Sequence, residues 1–196
     1  MAKSIGESPT EKLFDCLRNL YRQAQQLLLD SDRLLGDRGW EPVGGTGPAE
    51  FSYSITAPDK WFARWAARFY LPQSTIEAEA DERSVASMLF VSTQFTSDHD
   101  TDVDEPVISA GYLLFTERLT RDQARKAWGN SYWLCKSGLW GKPIIDANGW
   151  HQWNPSKWIQ LSQSVRAFTV PLYSITSSDA LNELVIDKLV SALPPD

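Results

Sequence analysis

Histidine and cysteine are scarce in this chain, and their scarcity limits the chemistry that it can perform. Only His99 and His151, and only Cys16 and Cys135, occur among its 196 residues. A Ser–His–Asp or Cys–His arrangement needs a histidine as general base, and zinc sites need closely spaced Cys and His ligands. The corresponding motifs are missing, so the sequence points to no catalytic residue and favours a non-enzymatic protein. A carboxylate-dependent enzyme stays open, because any two acids can converge in a fold.

A long apolar run is also missing. No stretch approaches the roughly 20 residues that a membrane-spanning helix requires, and residues 1–9 lack the hydrophobic core of a signal peptide. We therefore expect a cytoplasmic protein without a membrane partner. Cys16 and Cys135 are far apart in predicted helices and have no CxxC partner. We interpret both as buried free thiols.

Positive charge is in short supply. The chain has 19 Lys and Arg against 25 Asp and Glu, which gives a net charge of −6. Phosphate backbones are bound by clustered basic residues, so we expect no nucleic-acid partner. The one basic group, Arg118, Arg121, Arg125 and Lys126, is interpreted as a solvated helix face rather than an anion site. The glycine-rich residues 44–48 lack the Gly-Lys-Ser/Thr ending of a phosphate loop, and we expect no cofactor.

Two long apolar stretches organise the rest of the chain. Residues 86–95 and 107–115 are rich in β-branched and aromatic side chains, a composition that predicts a long antiparallel strand pair. Together with amphipathic helices, this pair predicts one α+β domain over residues 8–193, between a disordered tail at 1–7 and a short tail at 194–196. We expect a predominantly antiparallel sheet of about five strands, with an N-terminal, a middle and a C-terminal helix packed on one face.

The N-terminal helix has the clearest sequence signal. Ser8, Pro9 and Glu11 form a capping box with proline at the first helical position, and the helix is predicted to run from residue 9 to about residue 35. Its apolar residues recur in alternating steps of four and three, and they are Leu13, Phe14, Leu17, Leu20, Tyr21, Ala24, Leu27, Leu28, Leu34 and Leu35. This stripe is wider than a two-stranded coiled coil needs, so we favour a helix lying on the domain's own sheet. The oligomeric state stays open between a monomer and a homodimer through helix 9–35.

The remaining elements are predicted from alternation, capping and turn signals. The predicted strands are residues 51–56, 63–71, 144–145 and 165–175. The other predicted helices are residues 121–136 and 179–193. Pro171 cannot donate a hydrogen bond to a neighbouring strand, so its strand is expected at an edge or at a bulge. Gly111 is expected to mark a bulge or a close approach of the backbone.

Alternating acids occupy the loop between the two central strands. Asp98, Asp100 and Asp102 resemble half of a calcium-binding loop, since Ca²⁺ needs several converging oxygen ligands. An EF-hand also needs glycine at its sixth position and glutamate at its twelfth, where this chain has Val103 and Ser109. We therefore expect no metal site, and weak cation binding by these acids is the alternative.

Tryptophan is unusually abundant, with nine in the chain. Large rings fill cores, and they also anchor binding surfaces. Core filling is the favoured interpretation for most of them, whereas Trp150 and Trp153 are the best candidates for exposed rings because Asn-Gly and Asn-Pro turn signals surround them. The candidate ligand- or partner-binding residues are Asn148, Trp150, His151, Trp153 and Asn154.

Two functional hypotheses follow from these features. The first is a non-enzymatic accessory or regulatory domain that binds another protein through a Trp-rich surface. The second is a small-molecule-binding protein for a sugar or planar ligand, or a carboxylate-dependent enzyme, with a pocket near His151. An exposed Trp150 favours the first hypothesis, and a concave pocket that contains His151 favours the second.

Overall fold

The computed structural model describes residues 8–45, 65–73, 85–95, 105–131, 144–145, 148–153 and 162–193. Its strands are β1 (Trp40–Gly45), β2 (Trp65–Pro72), β3 (Val85–Gln94), β4 (Val107–Leu119), β5 (Ile144–Ile145), β6 (His151–Trp153) and β7 (Ser162–Pro171). They form one sheet in the order β1-β2-β3-β4-β7-β6-β5, and every neighbouring pair is antiparallel. The α+β class with an antiparallel sheet is confirmed, with seven strands in place of about five.

Two long helices and a composite C-terminal helix accompany the sheet. The long helices are α1 (Pro9–Gly36) and α2 (Arg121–Ser131). The C-terminal helix consists of an α-helical turn at Ser178–Leu181, a π-helical turn at Asn182–Ile186 and a further α-helical turn at Asp187–Ser191. A short 3₁₀ turn, Leu172–Ser174, leads from β7 towards it.

The predicted central strand pair is confirmed as β3 and β4. Phe90 lies opposite Gly111, and Thr93 lies opposite Ile108. Gly111 marks a close backbone approach, because a Cβ added there would lie 2.2 Å from the carbonyl oxygen of Arg166 and 2.7 Å from the Cβ of Ala167. The sequence predicts either a bulge or a close approach at Gly111, and no bulge occurs there. The register shifts that involve β4 lie between Val85 and Ser87 and between Leu114 and Phe115.

Helices pack on both faces of the sheet, which corrects the expectation that all three lie on one face. The α1 face carries α1 and the C-terminal helix, and its core includes Leu35, Tyr70 and Leu189. The α2 face carries α2, whose Ala124 packs into a separate core with Phe90 and Leu113. The physical reason is that β3 and β4 are buried on both sides along most of their length, so each side needs a cover.

The strands that sequence patterns missed are short and carry atypical residues. β1 contains Pro42 and two glycines, residue types that are depleted in strands. Among the described strands β1 pairs with β2 alone, and proline is tolerated at such an edge. β6 follows Gly149, which has a positive φ of 74°, a backbone conformation that glycine adopts readily. Its three residues are too few for an alternation signal.

The other predicted boundaries are close to those observed. The strand predicted at 63–71 is β2, the one at 144–145 is β5, and the one at 165–175 begins earlier and ends at Pro171. The strand that carries Pro171, β7, is not an edge strand over its whole length, because it lies between β4 and β6. However, β6 pairs only with residues 165–167, so Pro171 itself has a described neighbouring strand on one side only, as expected for a proline. The predicted strand at 51–56, residues 132–136 of the middle helix and both tails lie outside the described residues.

Candidate functional site

Trp150 is buried, and the expectation that it forms an exposed binding surface is therefore wrong. Its side chain is 5% exposed and belongs to the core of the α1 face. Its ring centroid lies 4.7 Å from that of Phe168, edge to face, and 5.9 Å from that of Tyr112. Core filling, the interpretation favoured for the tryptophans as a group, is what the structure shows for this ring.

Two cations pack on the same aromatic cluster. The guanidinium carbon of Arg166 lies 5.4 Å from the centroid of Trp150, and Nζ of Lys188 lies 4.4 Å from that of Phe168. Arg166 also donates a hydrogen bond of 3.3 Å to the hydroxyl of Tyr112. Cations over aromatic faces are attracted by the ring quadrupole. Trp150 therefore connects the end of the sheet with the C-terminal helix, which is a structural role.

The predicted site residues do not converge on one place. His151 pairs with Ala167, whose side chain lies in the core of the α2 face, so His151 and Trp150 serve opposite faces of the sheet. Asn148 is exposed in the turn before β6, and His151 is half-buried. Successive residues of an extended chain point to opposite faces, which is why adjacent positions in the sequence are separated here.

Several candidate residues fall outside what the structure describes. For Trp153 only the backbone, in β6, is described. Asn154 lies outside the described residues, as do Asp98, Asp100 and Asp102. Within the described ranges, no three or more His, Cys, Asp or Glu side chains are grouped to hold a metal ion.

A row of small and hydroxyl-bearing residues crosses the α2 face away from α2. Thr169, Ser109, Ser92 and Ala67 are successive cross-strand partners on β7, β4, β3 and β2. Ser92, Ser109 and the nearby Gln94 are all buried. Burying polar side chains costs free energy unless they are hydrogen-bonded, so this end of the face differs chemically from the apolar end under α2. We call it the polar row.

A buried phenol forms the most perturbed titrating group among the described residues. The hydroxyl of Tyr70 donates a hydrogen bond of 3.0 Å to Oδ1 of Asp32, and Arg68 lies 3.0 Å from Oδ2 of the same carboxylate. Burial, followed by the charge of Asp32 and this hydrogen bond, raises the pKa of Tyr70 well above its usual 10.0. Perturbed groups mark functional sites and also structural ion pairs. Here the group connects α1 to β2, and a structural role accounts for it.

The basic group at the start of α2 is occupied by a carboxylate of the same chain. Glu41 on β1 accepts hydrogen bonds from Arg121 and, at 3.4 Å, from Arg125. Arg121 also donates to the carbonyl oxygen of Pro72 at the end of β2. The two arginines therefore anchor α2 to the edge of the sheet. The interpretation of the whole group as a solvated helix face is therefore wrong for Arg121, which is mostly buried against Glu41, whereas Arg118, Arg125 and Lys126 are exposed as expected.

The first half of α1 presents apolar side chains to solvent. Leu13 is 68% exposed and Phe14 is 51% exposed, although both belong to the apolar stripe. Further along the stripe Leu17, Leu20 and Tyr21 are half-buried, and full burial begins at Ala24. Tyr21 marks the transition, because its ring already packs edge to face on Phe95 with centroids 5.5 Å apart. We call residues 9–23 the exposed half of α1 and residues 24–36 the anchored half.

Cys16 lies on the exposed half and is itself exposed, which corrects the prediction of a buried thiol. That prediction assumed that the whole helix packs on the sheet, and its first half does not. Cys135 lies outside the described residues.

Comparison with known proteins leaves these surfaces without a precedent. No protein-family model, curated protein or solved structure matches the chain. Within the described ranges, no helix is long and apolar enough to cross a membrane.

Proposed function

We propose that this protein is a non-enzymatic, cytoplasmic protein-interaction domain of an accessory or regulatory kind, and that its contact surface is the exposed half of α1. The observation that carries this proposal is the pair Leu13 and Phe14, which are mostly exposed on a stripe whose continuation is buried. Because Trp150 is buried, the contact surface moves from the Trp-rich segment to this helix.

The exposed half is a formed helix rather than a frayed end. Ser8 Oγ accepts a hydrogen bond from the backbone N–H of Glu11, and the Glu11 carboxylate accepts one from the N–H of Ser8. This capping box stabilises the helix start by satisfying backbone donors that lack partners inside the helix. The chain therefore holds an apolar stripe in helical register, and an amphipathic helix is a common recognition element.

Scattered exposed apolar residues are normal on protein surfaces, so position on the stripe is what distinguishes this pair. Leu29 is 46% exposed on the same helix, but it lies outside the apolar repeat. Leu29 consequently offers a matched control, because it is an exposed leucine on the same helix that is not part of the proposed surface.

The test compares proteins bound in cells by the wild-type chain, by a Leu13→Ser/Phe14→Ser variant and by a Leu29→Ser variant. Quantitative mass spectrometry after cross-linking measures the bound set, and circular dichroism checks that each variant is folded. We expect the double variant to lose at least one specific partner that the Leu29→Ser variant retains. An identical set for all three chains contradicts the proposal.

A second candidate function is small-molecule binding at the polar row. It is supported by buried Ser92, Ser109 and Gln94 on the same face as half-buried His151. A sugar or planar ligand needs such a mixture of polar and small side chains. Native mass spectrometry of the purified chain tests it, with Ser109→Val as the variant. A bound small molecule that is lost in the variant supports this function, and identical ligand-free spectra count against it.

A further inference from the structure

We propose that the partner of the exposed half of α1 is a second copy of the same chain, bound in antiparallel orientation. The inference rests on the proposed function and deepens it, because it specifies the occupant of that surface. It is supported by the spacing of the apolar residues and by the charges that border them.

The spacing suits helix pairing. Leu13, Leu17 and Leu20 are separated by four and three residues, the repeat that places side chains along one seam of a helix pair. The same repeat continues into Ala24 and Leu27, which are already buried by the domain. A partner can therefore cover only the part of the seam that precedes Ala24.

The bordering charges select the orientation. Glu11, Phe14 and Arg18 are spaced by three and four residues, so they form one row along the edge of the stripe. Glu11 also accepts a hydrogen bond from the Ser8 N–H, and Arg18 pairs with Asp15, but both contacts are exposed and both side chains keep further hydrogen-bonding positions for a partner. When two such rows meet antiparallel, Phe14 lies near its own copy at the two-fold axis, and each Glu11 lies opposite the Arg18 of the other chain. In a parallel pair the same rows place glutamate against glutamate and arginine against arginine.

The seam agrees with the same alignment. The antiparallel arrangement that brings Glu11 towards Arg18 also places Leu13 of one chain against Leu17 of the other, in two symmetric layers. Such a contact is isologous, since the same patch is used on both chains. It closes after two copies and does not propagate into a filament.

The dimer is expected to be weak and dependent on concentration. The exposed half has 15 residues and is about 22 Å long, so the buried area falls at the low end for specific interfaces. Both chains carry a net charge of −6, which also opposes association at low salt. The opposite charges of Glu11 and Arg18 offset this repulsion only locally.

Sedimentation equilibrium of the full chain, from micromolar to about millimolar concentration, tests the proposal. The wild-type chain is expected to show a monomer–dimer equilibrium. Leu13→Ser/Phe14→Ser is expected to weaken it by about tenfold or more, since two apolar contacts per chain are removed from the seam. Leu29→Ser is expected to leave it unchanged. Monomeric wild-type protein throughout the range overturns the proposal, and so does equal weakening by Leu29→Ser.

Charge removal tests the orientation. Glu11→Gln and Arg18→Gln each remove one charge, and glutamine at position 11 keeps the capping box. Each is expected to weaken the dimer by about two- to threefold, because each removes two opposite-charge contacts across the interface. The combined variant is expected to weaken it no more than either change alone, since both changes remove the same contacts. A combined effect equal to the product of the two single effects, with each chain folded by circular dichroism, overturns the antiparallel pairing.

The outcomes separate this inference from the function on which it rests. In one outcome, the wild-type chain stays monomeric and still binds a different protein that the Leu13→Ser/Phe14→Ser variant no longer binds. In that case the partner is not a second copy, and the interaction function stands. If it is monomeric and instead binds anionic vesicles through the same two residues, the surface is a membrane contact and both proposals fail. If none of these bindings depends on Leu13 and Phe14, both proposals fail as well.

Discussion

The two halves of α1 have the same apolar periodicity and very different surroundings. The anchored half is held by tertiary contacts, which include the buried Leu35 and the ion pair of Asp32 with Arg68. The exposed half is held mainly by local contacts among the described residues, such as its capping box and the exposed pair of Asp15 with Arg18 at 2.9 Å, and its tertiary ring contact with Phe95 comes only at Tyr21, near its end. The comparison shows that helical periodicity defines an apolar face without revealing what covers it.

A clamp at the end of the anchored half explains why that half is fixed. Arg38 follows α1 and donates hydrogen bonds to Asn182, at 2.8 Å, and to Asp187. These two residues are five positions apart on the C-terminal helix, and the π-helical turn places them on one side. Asn182 also donates to Asp187 at 3.0 Å. The π-helical turn, a rare feature often tied to a specific role, here forms the acceptor site for Arg38.

The largest expected difference between the halves is in core packing. Leu35→Ala removes a fully buried side chain and is expected to lower the free energy of unfolding by about 2–5 kcal/mol. Leu13→Ala is expected to change it by less than about 0.5 kcal/mol, because Leu13 is mostly exposed. Urea unfolding of both variants measures the difference. Similar losses would show that the exposed half is covered within the monomer.

The clamp is expected to have the next largest effect. Arg38→Ala removes charge-assisted hydrogen bonds to Asn182 and Asp187 and is expected to lower the free energy of unfolding by about 1–3 kcal/mol. Arg18→Ala removes an exposed pair on the other half and is expected to cost about 0–0.5 kcal/mol. Thermal unfolding compares the two variants. An Arg38→Ala variant as stable as Arg18→Ala would argue against the clamp.

The buried phenol predicts a dependence on alkaline pH. Tyr70→Phe is expected to lower the free energy of unfolding by about 1 kcal/mol at pH 7, since the hydrogen bond to Asp32 is lost. The folded pKa of Tyr70 is raised above its unfolded value, so the wild-type advantage is fully present below about pH 10 and is lost as the pH rises through the folded pKa. Unfolding measured from pH 7 to pH 11 checks this. A difference between the two chains that stays constant to pH 11 would contradict it.

The smallest expected effect concerns the helix start. Ser8→Ala removes one side of the capping box and is expected to weaken the first turn of α1 by about 0.5–2 kcal/mol. The global unfolding free energy is expected to change little, because the exposed half makes few tertiary contacts. Hydrogen exchange at the amides of residues 11–15 should accelerate while exchange in the anchored half stays the same. Faster exchange along the whole of α1 would mean that the two halves unfold together.

Much of the fold was predictable because it depends on local signals. The capping box at Ser8 marks the start of α1, and the β-branched and aromatic residues of β3 and β4 indicate the central strands. β1 and β6 were missed because Pro42, glycine-rich sequence and short length hide them. The second helical face was missed although β3 lacks polar alternation, a sign of burial on both sides.

The candidate site was less predictable because it depends on tertiary context. Trp150 and His151 are adjacent in the sequence, yet they serve opposite faces of the sheet, so grouping them by proximity was misleading. Asp32, Arg68 and Tyr70 meet only through the packing of α1 on β2. The exposure of Leu13 has no sequence signal either, since the stripe continues without interruption across the boundary at Ala24.

Hydrogen exchange along α1 at several protein concentrations tests the account most directly. Residues 9–23 are predicted to exchange fast at low micromolar concentration and to become progressively protected as the concentration rises, whereas residues 24–36 stay protected throughout. Equal protection of both halves at the lowest concentration, with no change on concentrating the protein, would contradict the claim that the exposed half of α1 binds a second copy of the chain.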